Sequence, residues 1–351
     1  MQMSIVQTVK SRAPLRIGIS GGGTDIESFS KLYSGCVING AINLYSTCLI
    51  KLTKRKYDYF ESLNNKEFIK VYKKKDLSLK YDDQLNLIIG VYKYFTDYFK
   101  INNQYKISIQ TYLDVPGGSG LGGSSTLIVS LIEGLKKIFN LIFDDYEAAE
   151  LAYKIERKYL KIPGGRQDQY AAVFGGINYM DFEKNGRVIV NRLNIVHDII
   201  NELEDNLVLF YTDQRRNHHE VINKQIKNIG ISNSITIKNL KKIKAECIDM
   251  KNILLKNELD KIPETFIKSW SFKKKISDNV TDDKFDYLLN LAINNGAMAG
   301  KWSGAGGGGF MIFYTDYQKK RKLIEFLSNA EFGKIYNFSF VQQGAQSWFV
   351  K

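Results

Sequence analysis

The spacing of hydrophobic and polar positions changes several times along the chain, and each change marks an element. In residues 9–20 the apolar Leu15, Ile17 and Ile19 alternate with Arg16 and Gly18, the period of a β-strand. Gly21-Gly22-Gly23 ends it, and Thr24-Asp25-Ile26-Glu27 has the form of a capping box, which predicts a helix running through Leu32. Strands are predicted over 37–53, 57–63 and 67–72, and apolar residues at helical spacing over 85–99. Residues 106–113 read as a strand leading into Pro116 and a second glycine cluster, with helices over 125–139 and 146–160. After a loop at 161–165, residues 167–176 lead into a hairpin of strands 177–182 and 188–193 that turns at Asn185-Gly186. Beyond about residue 200, a short buried strand at 207–211 gives way to mostly helical sequence up to Asn295, then strand 310–314, helix 318–328 and strand 335–341. The helices are unequally spaced and no repeat is visible, so the pattern predicts an α+β protein of two lobes, 1–200 and 201–351.

Composition narrows the class. A 351-residue chain with 44% hydrophobic and 25% charged residues is globular, neither disordered nor fibrous. No apolar run approaches the ~20 residues that span a bilayer, and the first ten residues lack a signal-peptide core, so the chain is expected to stay where it is made. Cys36, Cys48 and Cys247 form neither a disulfide framework nor a metal spacing, which points to a reducing cytoplasm. The net charge of +13 attracts anions: nucleic acid, a membrane surface or phosphorylated metabolites. Its lysine runs, such as Lys54-Arg55-Lys56, Lys73-Lys74-Lys75 and Lys273-Lys274-Lys275, are scattered and read as solvated surface. No zinc, helix-turn-helix or aromatic RNA-binding motif accompanies them, so neither nucleic acid nor membrane is an expected partner.

Glycine says more than charge. Three short clusters hold 13 of the 28 glycines: Gly21–Gly23, the segment 117–123, and the segment 304–309. Such clusters mark backbone that turns sharply or approaches a ligand closely. Gly118-Ser119-Gly120-Leu121-Gly122-Gly123 satisfies the dinucleotide pattern G-x-G-x-x-G. No βαβ series or acidic ribose partner follows it, however, and no Walker lysine makes it a P-loop. Exposed N–H groups at a helix N-terminus still suit phosphate.

The string from Pro116 through Gly117-Gly118-Ser119-Gly120-Leu121-Gly122-Gly123 to Ser124-Ser125 resembles the nucleotide loop P-x-x-x-G-L-G-x-S-S of the GHMP kinases, a family that includes galactokinase, homoserine kinase, mevalonate kinase and phosphomevalonate kinase. Two further segments resemble that family's outer motifs in the same order: Ala13-Pro14-Leu15-Arg16-Ile17 with Gly21-Gly22-Gly23-Thr24-Asp25, and Lys301-Trp302-Ser303-Gly304-Ala305-Gly306-Gly307-Gly308. The resemblance implies a two-lobed fold with a ribosomal-S5-like N-terminal lobe and a ferredoxin-like C-terminal lobe. It also implies use of ATP and Mg²⁺, with residues 117–125 around the nucleotide. Where galactokinases carry G-E-H-T-D, this chain carries G-G-G-T-D, similar to the branch that phosphorylates D-glycero-D-manno-heptose 7-phosphate on its anomeric hydroxyl. That step gives a 1,7-bisphosphate used toward nucleotide-activated heptose for surface polysaccharide. A fucose-type or other hexose 1-kinase, and a catalytically silent sugar sensor, are the alternatives. A small-molecule sugar phosphate is thus the expected partner, and homodimer formation stays open.

Several residues carry two readings each. Glu156 shares a predicted helix face with Ala149, Ala152 and Leu160; its i±3 neighbours are Tyr153 and Tyr159, so no cation of its own helix is expected to pair with it. An inward carboxylate needs a partner, either a distant Lys or Arg or a metal; the resemblance matches it to the family's Mg²⁺-binding glutamate. Ser124 and Ser125 are N-caps, or, by resemblance, Ser125 completes the Mg²⁺ site. Asp168 is the N-cap of a short helix ending at Gly175, or the family's catalytic base. Arg16 is a surface strand cation, or the cation that steadies nucleophile and transferring phosphate. Asp25 is a first-turn helix acid, or a sugar ligand together with Gly22, Gly23, Thr24, Gly306 and Gly307. Arg215 and Arg216 form an anion-binding fork for the distal phosphate, or surface charge. His218 and His219 are adjacent, hence on different helix faces, and no metal site is expected there. The joint presence of Asp168, Glu156, Ser125 and Arg16 favours catalysis over sensing.

Overall fold

The computed structural model describes residues 5–72, 84–102, 104–213, 218–277, 280–330 and 333–351. The chain opens with β1 (Ile5–Ser20), a short α1 (Glu27–Tyr33) and β2 (Gly35–Thr53). β1 and β2 run antiparallel, and their register shifts between Pro14 and Leu15, where a proline has no N–H to give the ladder. Beyond the shift Leu15 lies opposite Ile42 and Arg16 opposite Ala41. There follow β3 (Asp58–Ser62), β4 (Glu67–Val71), α2 (Gln84–Tyr98), β5 (Lys106–Leu113), α3 (Gly123–Ile138), α4 (Asp145–Tyr153), α5 (Gln167–Phe174), β6 (Ile177–Phe182) and β7 (Val188–Arg192). β2 is long enough to pair twice, residues 46–53 with β5 and residues 35–40 with β6. Helices α2 to α5 cover one face of this sheet, where Ile50, Ile109, Ile128, Leu131 and Leu135 form a core.

The remainder holds α6 (His197–Asp205), β8 (Leu207–Tyr211), α7 (His218–Gly230), α8 (Ser234–Lys256), α9 (Ile262–Lys273), α10 (Asp283–Asn294), β9 (Ala299–Trp302), β10 (Phe310–Tyr314), α11 (Tyr317–Ser328), β11 (Lys334–Tyr336) and β12 (Gln346–Phe349). β11, β8, β10 and β9 build a second, antiparallel sheet in that order, while β12 returns to pair with β1. A second core joins the two halves: Leu15, Ile17 and Ile38 pack with Leu209, Met250 and Phe310. The first strand is therefore covered on both faces. Positions 13–17 are all buried, and the alternation in the sequence does not leave Arg16 on a solvent face. Among the described residues no helix is long and apolar enough to cross a membrane.

The α+β expectation holds, with local departures. The capping box at residues 24–27 does not form. Helix α1 starts at Glu27 with Ile26 as its N-cap and no side-chain cap. The Thr24 hydroxyl instead accepts from Cys36 N–H and lies 2.7 Å from the Cys36 carbonyl, sealing the loop against β2. The helix read over 146–160 is α4 followed by a π-helical turn, Lys154–Tyr159. The strand read over 335–341 stops at Tyr336, with Phe340 bridging to Ile42 before β12. Helix α6 and strands β9 and β12 were not predicted from the sequence.

Candidate functional site

The three glycine clusters meet. Gly118, Gly120 and Gly122 have φ of +71°, +83° and +79°, the left-handed region that glycine tolerates, and Gly122 caps the N-terminus of α3 with no side-chain cap. The third cluster packs against this loop backbone to backbone. A Cβ on Gly304 would stand 2.7 Å from the Gly120 carbonyl, one on Gly309 2.2 Å from that of Ser119, and Phe310 N–H donates to Ser119 O at 2.9 Å. Between them opens a cleft of about 260 Å³ lined by Arg16, Gly23, Asp25, residues 118–120 and 122–125, Glu156, Asp168, Lys273 and Gly304 among others.

Arg16 lies at its floor. Its Nε and its NH2 nitrogen both donate to Asp168 Oδ1, at 2.8 and 2.7 Å, and NH1 donates to Gly120 O at 2.7 Å. One guanidinium thus ties the loop carbonyl to the acid from α5. Asp168 Oδ2 has no hydrogen-bond partner among the described residues, and a Cβ on Gly122 would stand 3.4 Å from it. Asp168 is not a cap: α5 starts at Gln167, after Arg166, with no side-chain cap. The surface-cation reading of Arg16 fails as well, since the residue is 3% exposed.

Beside the loop, Ser125 Oγ donates to Glu156 Oε2 at 2.7 Å and Gln169 Nε2 donates to the same oxygen at 2.5 Å. Arg157 lies 3.0 Å from Glu156 Oε1 and also donates to the Gly165 carbonyl. The expectation that no cation of its own helix reaches Glu156 is therefore corrected. Neighbours in sequence do not face each other on a regular α-helix, but here the π-helical turn carries both residues to the cleft. Ser125 is not an N-cap, its hydroxyl being committed to Glu156.

This donor set suits Mg²⁺ in the presence of a polyphosphate. One buried carboxylate and one hydroxyl sit beside an uncapped helix N-terminus, and Gln169 Oε1 and Ser119 Oγ are buried without partners. Among the described residues no group of three or more His, Cys, Asp or Glu assembles, so phosphate oxygens and water would complete the coordination.

Asp25 closes the other end. It is buried, and its two oxygens accept from Gly23 N–H at 3.1 Å and Gln167 N–H at 3.2 Å, so it is not a first-turn acid of α1. Behind it stand two cations that the sequence reading left in the solvated surface or did not single out. Lys273 Nζ donates to Gly22 O at 2.9 Å and Lys301 Nζ to Gly18 O at 2.8 Å. Burial brings Lys273 down to about 8, against a nearby Asp25 that favours its charge. Burial, then the neighbouring Lys273, brings Lys301 down to about 7.

Among the other residues proposed from sequence, Ser119, Gly120, Gly122, Gly123 and Ser124 line the cleft, whereas Leu121 is buried in the apolar core and Gly117 lies outside the lining. Thr24 is spent on backbone, Gly22 faces a neighbouring small pocket, and Gly306 and Gly307 turn to Val280. Arg215 and Arg216 lie outside the described residues. Residues 86–176 match the model of the GHMP kinases N terminal domain. Over 98% of this chain and 99% of the relative, the sequence is 41% identical to a D-glycero-alpha-D-manno-heptose 7-phosphate kinase of Campylobacter jejuni. Two solved structures superpose along 98% of the chain and 99% of their own. One is a D-glycero-D-manno-heptose 1-phosphate kinase from Bacteroides thetaiotaomicron (34% identity, TM-score 0.82), the other a putative sugar kinase from Campylobacter jejuni (36%, 0.77).

Proposed function

The chain belongs to the GHMP kinases, and from that premise we propose that it transfers the γ-phosphoryl group of ATP to the anomeric hydroxyl of D-glycero-D-manno-heptose 7-phosphate. The observation that carries this reading is the Arg16–Asp168 pair at the cleft floor, with one carboxylate oxygen of Asp168 left open between the nucleotide loop and Asp25. In this reading Asp168 Oδ2 takes the proton of the C1 hydroxyl as its oxygen attacks the γ-phosphorus. The bond from that phosphorus to the β,γ-bridging oxygen breaks, and ADP leaves. Arg16 fixes the carboxylate against the loop, which limits the geometries available to the two reactants. Residues 118–125 hold the phosphates through backbone N–H groups. Ser125 and Glu156 would hold Mg²⁺, which supplies neutralising charge to the phosphates. Asp25 orients the sugar hydroxyls.

The 41% identity to a heptose 7-phosphate kinase supports the choice of acceptor. The product is a 1,7-bisphosphate made in the cytoplasm, on the way to nucleotide-activated heptose for surface polysaccharide. The test is ADP formation with MgATP across a panel of sugars. Heptose 7-phosphate should give the highest kcat/KM. A better neutral hexose would keep the kinase and remove the acceptor assignment.

A further inference from the structure

The acceptor just proposed carries a phosphate at the end opposite its reacting carbon, and the inference that follows rests on that reading. From the floor of the cleft a small extension of about 30 Å³ runs beneath the first glycine cluster, lined by Ser20, Trp270, Lys273, Lys301 and Trp302 among others. Gln167, Lys273 and Gly304 line both spaces, so the extension opens on the acceptor end of the cleft. Lys273 and Trp270 come from one face of α9, three residues apart, and Lys301 and Trp302 from β9.

Both lysines are more than nine-tenths buried, and among the described residues neither forms an ion pair. Their hydrogen bonds go only to the Gly22 and Gly18 carbonyls, which leaves further N–H directions on each ammonium. The nearby carboxylate, Asp25, is already bonded to two backbone N–H groups. Cys247 does not balance the charge either, because burial holds its thiol well above the usual range and therefore neutral. The indole N–H groups of Trp270 and Trp302 are buried without partners. Asp25 favours the charge on Lys273 through space, and Lys301 lies 4.8 Å from the centroid of the Phe266 ring. Among the described residues, however, neither ammonium has a bonded anion, and two cations buried side by side repel each other, a cost an incoming anion would relieve.

We propose that Lys273 and Lys301 seat the distal phosphomonoester of the acceptor and thereby select a phosphorylated sugar over a neutral one. The extension holds about two water molecules' worth of space, so the phosphate sits at its mouth, where Lys273 faces both spaces. The depressed lysine pKa values fit a site that awaits a dianion.

Lys273→Met and Lys301→Met remove the ammonium and keep an unbranched apolar stem. Either lysine variant should lower the ratio of kcat/KM for heptose 7-phosphate to kcat/KM for the unphosphorylated heptose by about tenfold or more, with the KM for ATP nearly as in the wild type. Its melting temperature should equal or exceed that of the wild type, since a buried charge with no bonded anion is gone. An equal loss on both sugars, or a raised KM for ATP, would overturn the seat; the second result would move the lysines to the nucleotide. Calorimetry with inorganic phosphate and no nucleotide separates this claim from the acceptor assignment. Weak binding that either lysine variant abolishes supports the seat even if another phosphorylated sugar proves the better acceptor. Binding of phosphate that both variants retain refutes it.

Discussion

At Asp168 the two carboxylate oxygens have different duties: Oδ1 takes both contacts from Arg16, and Oδ2 faces the cleft. Asp168→Asn keeps an oxygen for Arg16 but removes the proton acceptor. It should lower kcat by roughly 10²–10⁴-fold with the KM for ATP little changed, read by steady-state kinetics. Near-full activity would reduce Asp168 to an anchor for Arg16. Glu156→Gln keeps an oxygen for Ser125 but loses the charge beside Arg157, so the Mg²⁺ concentration for half-maximal rate should rise; an unshifted Mg²⁺ curve would leave Glu156 as a structural partner of Arg157. Lys301 carries a pH signature. Its folded-state value of about 7 lies below the ordinary 10.5, so the unfolded chain binds the proton first as pH falls. The cost to stability therefore grows as pH drops from about 10.5 to 7 and is constant below. Facing it are Lys273, Arg16 and Cys247, none of which supplies an anion. The melting temperature gained by Lys301→Met should accordingly be larger at pH 7 than at pH 10. Arg16, Asp168, Glu156 and Ser125 were singled out through the resemblance to the GHMP kinase motifs, and the fold brings all four to one cleft. Lys273 was not, because Lys273-Lys274-Lys275 looks like one solvated run, while in the fold Lys274 reaches Asp286 at the surface and Lys273 turns inward.

Among the elements, the regular ones follow their patterns and the site elements do not. Helix α3 places Leu127, Leu131 and Leu135 in the core, as its spacing requires, and α4 starts in a capping box between Asp144 and Glu147. The π-helical turn after α4 has no periodic signature, since a single extra residue in the turn leaves the surrounding pattern readable as one helix. Strand β12 was hidden for another reason: it is a short, half-exposed edge strand whose partner, β1, lies more than 300 residues away in sequence. The loop before α5 gives a test at this scale. A Cβ on Gly165 would fall 1.8 Å from Asp25 Oδ2, too close to coexist with the observed carboxylate. Gly165→Ala should displace Asp25 and raise the KM for the sugar about tenfold or more, leaving the KM for ATP within a factor of a few; a changed ATP KM with an intact sugar KM would contradict the division of the cleft.

On the scale of the whole molecule, the site exists because two sheets share a core. The first sheet and its helices supply Arg16, the second glycine loop, Glu156 and Asp168, while the second half supplies Lys273, Lys301 and the glycines that buttress the loop. The chain's α+β class and the order of its glycine motifs could be read from the sequence. Which cations would be carried in behind Asp25 depended on how the second sheet packs against β1, a long-range outcome with no local signal. The central claim is transfer of a phosphoryl group to the anomeric oxygen of a phosphorylated heptose. The most direct measurement is ³¹P NMR of the product after incubation of the protein with MgATP and heptose 7-phosphate. A new resonance coupled to the anomeric proton, growing in step with ADP while the 7-phosphate signal persists, is the predicted result. ADP appearing with inorganic phosphate alone, or a new phosphate on any carbon other than C1, would contradict it.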